Sequence, residues 1–125
     1  MIESALSGQR VLVVEDEPLV AMLIEDILGE HGCAVIGPFA TLANGLQAAR
    51  SVELDLAVLD VNLRGERVYP VAEVLARRHI PFLLVSGYGA HAVPAEHPDW
   101  RAIAKPFHTR DLVKALSAEL ARTRI

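Results

Sequence analysis

The chain has 125 residues, 52% of them hydrophobic, with 12 basic against 16 acidic residues and a formal net charge of −4. That length suits one domain with a real core. The mildly acidic balance argues against a nucleic-acid surface, because Arg77-Arg78, Arg122 and Arg124 are dispersed rather than gathered in a stripe. The lone Cys33 excludes an intrachain disulfide, residues Met1 to Arg10 carry no basic-then-apolar leader, and no apolar run is long enough to cross a bilayer. A cytoplasmic protein without membrane insertion is expected.

Val11-Leu12-Val13-Val14 is an unbroken apolar run that ends on Glu15-Asp16. Such runs suit strands buried on both faces of a parallel sheet. Pro18 then falls where a first helical position belongs. Leu19, Val20, Leu23, Ile24, Ile27 and Leu28 recur at helical spacing as one inward stripe, and Gly29 and Gly32 bracket the stop. Cys33 reads as a small buried or edge thiol, with no basic neighbour to activate it. Ala34 to Phe39 is the second strand. Thr41 is a candidate N-cap for a helix with Leu42, Leu46 and Ala49 inward. Leu56 to Leu59, the third strand, ends on Asp60. Asn62 to Glu66 reads as a polar loop centred on Gly65.

A third helix puts Val71, Val74 and Leu75 inward, and Pro81 stops it. Phe82 to Val85, the fourth strand, ends on Ser86-Gly87. The stretch from Gly87 to Trp100 holds Gly89, Pro94 and Pro98 and has little helical period. A fourth helix there is short, around Ala90 to Glu96, and the stretch is expected to be the most mobile of the chain. Trp100 anchors it, and His91 and His97 are expected to be solvated. Ala102-Ile103-Ala104, the fifth strand, ends on Lys105-Pro106. The last helix follows Phe107, with Thr109 as N-cap, Asp111 in the first turn and Leu112, Leu116 and Leu120 as its stripe. His31, His79 and His108 lie near helix ends.

Strands alternating with helices imply an α/β domain with a five-stranded parallel sheet, order 2-1-3-4-5, and helices on both faces. This flavodoxin-like arrangement would occupy residues 1–125 as one stand-alone domain with no output domain. Ligands of such sheets bind outside the carboxyl ends of the strands. Glu15, Asp16, Asp60, Ser86 and Lys105 would all stand at that mouth.

Carboxylates crowded into one crevice repel one another, and a divalent cation relieves the conflict. All-oxygen ligands favour Mg2+. Asp16 and Asp60 are the direct ligands expected, with Glu15 binding directly or through a water and the backbone carbonyl of Asn62 as a further ligand. The Asp60 carboxylate could attack a phosphorus centre to form an acyl phosphate. Mg2+, the Ser86 hydroxyl and the Lys105 ammonium would then each hold one phosphoryl oxygen. Each residue alone has a plainer reading. Asp60 could cap a turn, Glu17 could simply suit a helix N-terminus, Ser86 could be a turn residue and Lys105 a surface lysine.

Four motifs together resemble the response regulator receiver domain: Val13-Val14-Glu15-Asp16-Glu17-Pro18, Val58-Leu59-Asp60-Val61-Asn62-Leu63, Val85-Ser86-Gly87 and Lys105-Pro106-Phe107. The resemblance covers nearly the whole chain. It implies a non-enzymatic switch of a two-component or phosphorelay system. Asp60 would be the phosphoacceptor, charged by a histidine kinase or a histidine phosphotransfer protein. Glu15 and Asp16 would be the acidic pair for Mg2+, Ser86 the switch hydroxyl and Lys105 the phosphoryl-binding lysine, aimed inward by a cis bond to Pro106. The signal would pass by contact to a downstream protein whose identity the sequence does not carry.

The chain departs from the receiver pattern at Ala102, where most receivers place an aromatic residue three before the lysine. Leu84-Val85-Ser86-Gly87-Tyr88 is similar to the run of a receiver subgroup named for Phe-Ala-Thr-Gly-Tyr, whose members lack that aromatic and have an irregular fourth helix. Tyr88 and the segment from Gly89 to Trp100 are therefore expected to carry the conformational change, against the plainer reading of Tyr88 as a packing aromatic. Two alternatives stand beside the switch. One is a receiver-like scaffold that works without phosphate. The other is a small aspartate-nucleophile phosphatase, which would need a second aspartate where this chain has Asn62.

Overall fold

In the computed structural model, which describes residues 4–123, the chain runs β1 (Arg10–Val14), α1 (Pro18–Glu30), β2 (Ala34–Phe39), α2 (Leu42–Ser51), β3 (Leu56–Asp60), β4 (Asn62–Leu63), β5 (Glu66–Arg67), α3 (Tyr69–Arg77), β6 (Phe82–Ser86), a 3-10 turn (Gly89–Ala92), β7 (Ala102–Ala104) and α4 (Thr109–Thr123). Residues 1–3 of the stretch read for a leader, and Arg124, lie outside the described residues.

The apolar runs take the centre of one sheet because they can be buried on both faces. Its order is β2-β1-β3-β6-β7, every pair parallel. The five long strands thus take the order expected, and the difference is a separate antiparallel hairpin, β4 with β5. Side chains alternate across the pleat. Leu12, Val14, Ala57, Leu59 and Leu84 pack on the face covered by α2 and α3, while Val11, Val13, Leu56, Val58, Leu83 and Val85 meet Ile24 and Leu28 of α1 and Leu112 and Leu116 of α4. A buried core on each face pins the register, since a one-residue slip would exchange the faces.

Several local expectations hold. Pro18 opens α1, and the Thr41 side chain caps α2 by accepting from the amide of Asn44 at 3.2 Å. Val71, Val74 and Leu75 of α3, and Leu112, Leu116 and Leu120 of α4, are buried. Trp100 anchors its stretch, with its ring edge-on to Phe82 at 5.1 Å.

Other expectations are corrected. The buried face of α1 is Ala21, Ile24, Ile27 and Leu28, while Leu19 and Leu23 are 80% and 44% exposed. At about 100° per residue the buried residues span an arc of roughly 120° from Ile27 to Ala21, and Leu23 and Leu19 fall about 40° and 80° beyond its Ile27 edge. Asn62 to Glu66 is no open loop: Asn62 pairs with Arg67 and Leu63 with Glu66 across Arg64-Gly65. Both turn residues have positive φ, 53° and 88°, which matches the right-handed twist of a two-residue hairpin. The fourth helix is reduced to the 3-10 turn. Thr109 is the first helical residue of α4 rather than its cap. His97 is not simply solvated: its ring stacks on Trp100 at 3.9 Å. Among the described residues no helix is long and apolar enough to cross a membrane.

Candidate functional site

The strand ends deliver their polar residues to one mouth through the same pleat that builds the cores. Glu15 continues the parity of Val11 and Val13, Asp60 that of Leu56 and Val58, and Lys105 that of Ile103. All three therefore arrive on the face that carries α1 and α4. Ser86 continues the opposite parity, from Phe82 and Leu84. Backbone bonds fix the ends: Glu15 donates to the Phe39 carbonyl at 2.9 Å, and Lys105 donates to the Ser86 carbonyl at 2.9 Å. The Lys105–Pro106 peptide is cis, as the resemblance implied, and so is Gly37–Pro38.

The Lys105 ammonium lies 2.9 Å from Glu15 Oε1, 3.0 Å from Glu17 Oε1 and 3.4 Å from Asp60 Oδ2. Glu15 and Asp60 are buried, as is Ser86. Glu15, Asp16, Glu17 and Asp60 each bring a carboxylate oxygen within 4.8 Å of the others. Glu15 Oε1 is buried and lies against the Lys105 ammonium. A cluster of carboxylate oxygens with only one cation among them, all hard oxygen donors, fits a small divalent cation.

The crowding moves protons. Burial, then the hydrogen bond and charge of Glu15, then Asp16, push the Asp60 carboxyl up to about 8, against the opposing pull of Lys105. Burial works to lower the Lys105 ammonium, but Glu15, Glu17 and Asp60 outweigh it and hold that ammonium above its ordinary value. Lys105 is thus a fixed cation beside a carboxylate reluctant to ionise alone.

Around this centre opens a cavity of about 530 Å³, lined by Asp16, Glu17, Asp60, Asn62, Ser86 and Lys105, together with Arg64, Arg67, Gly87 and Tyr88. Every residue expected at the site is here or, like Glu15, directly against it. The Ser86 hydroxyl accepts from the Tyr88 amide at 3.1 Å, and the Tyr88 side chain is 74% exposed, so it packs into no core. Asn62 bonds the hairpin turn, accepting from the Gly65 amide at 2.9 Å. A second hollow of about 430 Å³ lies at the far end of the sheet, walled by Phe82, Trp100 and the Glu119–Arg122 ion pair. It holds none of the expected residues.

Sequence reasoning missed three contributors. Glu17 was read as helix-end acidity, yet it pairs with Lys105 across the sheet; its place beside Glu15-Asp16 was the available signal. Arg64 and Arg67 reach the cavity because the hairpin folds over it, with the Arg64 amide donating to Asp16 Oδ2 at 3.1 Å. The Arg64-Gly65 pair between short polar-apolar runs was the only trace of that hairpin.

A family model described as "Response regulator receiver domain" matches residues 11–117. Among curated proteins the chain is similar to the transcriptional regulatory protein TcrA of Mycobacterium tuberculosis, 35% identical over 121 residues, covering 90% of this chain and 46% of that protein. It is also similar to the transcriptional regulatory protein PdtaR of the same organism, 27% identical over 120 residues, covering 93% and 58%. The chain spans about half the length of the curated relatives it matches. Among solved structures it is similar to SdrG from Sphingomonas melonis Fr1, 42% identical with a TM-score of 0.79, covering 94% of this chain and 98% of that one. The BeF3-activated conformation of SdrG, from Pseudomonas melonis Fr1, matches at 38% identity and a TM-score of 0.74, covering 95% and 99%.

Proposed function

Because this chain belongs to the response regulator receiver domain family, we propose that it is a phosphoacceptor switch that takes a phosphoryl group on Asp60. The observation that carries the reading is the Lys105 ammonium 3.4 Å from Asp60 Oδ2, inside a buried group of carboxylates at the strand ends. An oxygen of Asp60 attacks phosphorus, the bond from phosphorus to the donor nitrogen breaks, and its electron pair returns to the donor imidazole. Lys105 is already charged and placed to take one phosphoryl oxygen, so no proton need move to create that stabilisation.

Glu15, Asp16, Asp60 and the Asn62 carbonyl would hold Mg2+, which when bound neutralises carboxylate and phosphoryl charge and favours the ionised form of Asp60. Ser86 turns its hydroxyl from the Tyr88 amide to the new phosphoryl group, and the segment after it follows. Tyr88 and residues 89–100 form that moving segment. The Ser86 hydroxyl, engaged by the Tyr88 amide, supports reading the present arrangement as the resting one.

The donor is a histidine kinase or a histidine phosphotransfer protein, in a cytoplasmic setting. Leu19, Met22 and Leu23 stand exposed on α1, beside the mouth, and offer it an apolar contact. The output is a protein contact. Incubation with acetyl phosphate and Mg2+, followed by intact mass, tests the reading. A phosphoryl-sized gain that needs Mg2+ and disappears in Asp60→Asn is expected. No gain, with beryllofluoride also leaving the spectrum unchanged, would favour a scaffold that works without phosphate.

A further inference from the structure

Two stretches of chain leave the site and meet again at one hydrogen bond. From Asp60 the chain passes through the β4–β5 hairpin and enters α3 at Tyr69. From Ser86 it passes through Gly87 and Tyr88 into the 3-10 turn that ends at Ala92. The Tyr69 phenol donates to the Ala92 carbonyl. Its ring lies half-buried against the core under α2 and α3, and Ala92 is itself buried. The Asp60 side of the site and the Ser86 side are thereby tied together outside the site.

On its other side, a side chain added at Gly89 would stand 3.4 Å from the Ala104 methyl, so the turn rests on Ala104 of β7. Ser86 holds the near end through its bond to the Tyr88 amide. If Ser86 turns toward a phosphoryl group, that bond breaks and residues 87–92 are free to shift. A hydrogen bond weakens steeply with a fraction of an ångström or a modest change of angle. The Tyr69–Ala92 bond therefore belongs to one position of the turn.

We propose that Tyr69 is a positioning residue of the switch: its phenol latches Ala92 and holds the Ser86 segment in the resting arrangement. The inference rests on the phosphoacceptor reading of Asp60. A contact made in only one of two states shifts the equilibrium between them by its full differential energy. Removing the hydroxyl while keeping the ring should therefore favour the activated arrangement, by roughly three- to tenfold for one net hydrogen bond.

The test is a titration of wild type and Tyr69→Phe with beryllofluoride in the presence of Mg2+. The readouts are the emission of Trp100, the sole tryptophan, which lies in the same connection, and the amide resonances of Ala92 and Val93. The expected result is a midpoint roughly three- to tenfold lower in the variant, with its ligand-free resonances displaced toward the wild-type bound positions. An unchanged midpoint with a lower melting temperature would overturn the latch and leave a merely structural tyrosine. Weaker binding in the variant would also overturn it, placing the bond in the activated state. A wild type that ignores beryllofluoride in both readouts would overturn the phosphoacceptor reading and the latch with it, whereas a responsive wild type with an unaltered variant removes the latch alone.

Discussion

Replacing Asp60 with Asn should stabilise the metal-free fold, and more so as pH rises. The folded carboxyl is pushed from its ordinary 3.8 up to about 8 by burial and by Glu15 and Asp16. Below the unfolded value, both states carry the proton and nothing is lost. Between the two values the folded state keeps a proton that the unfolded chain releases, so stability falls with rising pH until the folded carboxyl also ionises. Carried over whole, the displacement would amount to about 5 kcal/mol at pH 8, at about 1.4 kcal/mol per pH unit. Glu15, Asp16 and Lys105 readjust around Asp60 as it ionises, as in an effective dielectric well above that of a dry interior, so about 2 kcal/mol is expected. For a domain of this size that is roughly 8 °C in melting temperature. Thermal melts of both proteins at pH 5, 6.5 and 8 in the presence of a chelator would measure it. The gain of Asp60→Asn should be small at pH 5 and largest at pH 8. A gain that is the same at every pH would refute the argument, because it would mean that Asp60 ionises normally beside its neighbours.

Lys105→Met should destabilise the fold by about 2 kcal/mol at neutral pH, since it leaves Glu15 buried without its cation 2.9 Å away. Denaturant titration would read the loss, and a variant as stable as wild type would mean that the pair contributes nothing. Gly37→Ala should destabilise by about 3 kcal/mol, because φ there is +109° and an added Cβ would sit 2.7 Å from the Val13 carbonyl oxygen. Melting curves that overlay wild type would show that the β1–β2 irregularity relaxes to admit a methyl group.

What could be read from the chain alone is what depends on short stretches. Val11 to Val14, Leu56 to Leu59 and Phe82 to Val85 are too apolar to tolerate water on either face, so they had to become central strands with helices on both sides. Once they are central and parallel, the residues that end them must share one mouth, which is why Glu15, Asp16, Asp60, Ser86 and Lys105 could be named as a group. The face of α1 was harder. Leu19 and Leu23 satisfy a helical period as well as Ala21 does, and only the docking of the helix on β1 and β2 decides which of them meets the core. Contacts across long stretches of chain were beyond local pattern altogether. Glu17 joins Lys105 across 88 residues, the Arg64 amide reaches Asp16 across 48, and Tyr69 reaches Ala92 across 23. Each depends on where two separately formed elements come to lie. The sequence by itself determined the five strands of the parallel sheet, their order and the chemistry at their ends, because burial and periodicity act within a few residues. The tertiary structure alone decided which charges pair, how far Asp60 is pushed from its ordinary titration, and which side chain ties the Ser86 segment to α3. Those outcomes turn on distances of a few ångströms that appear only when the layers pack.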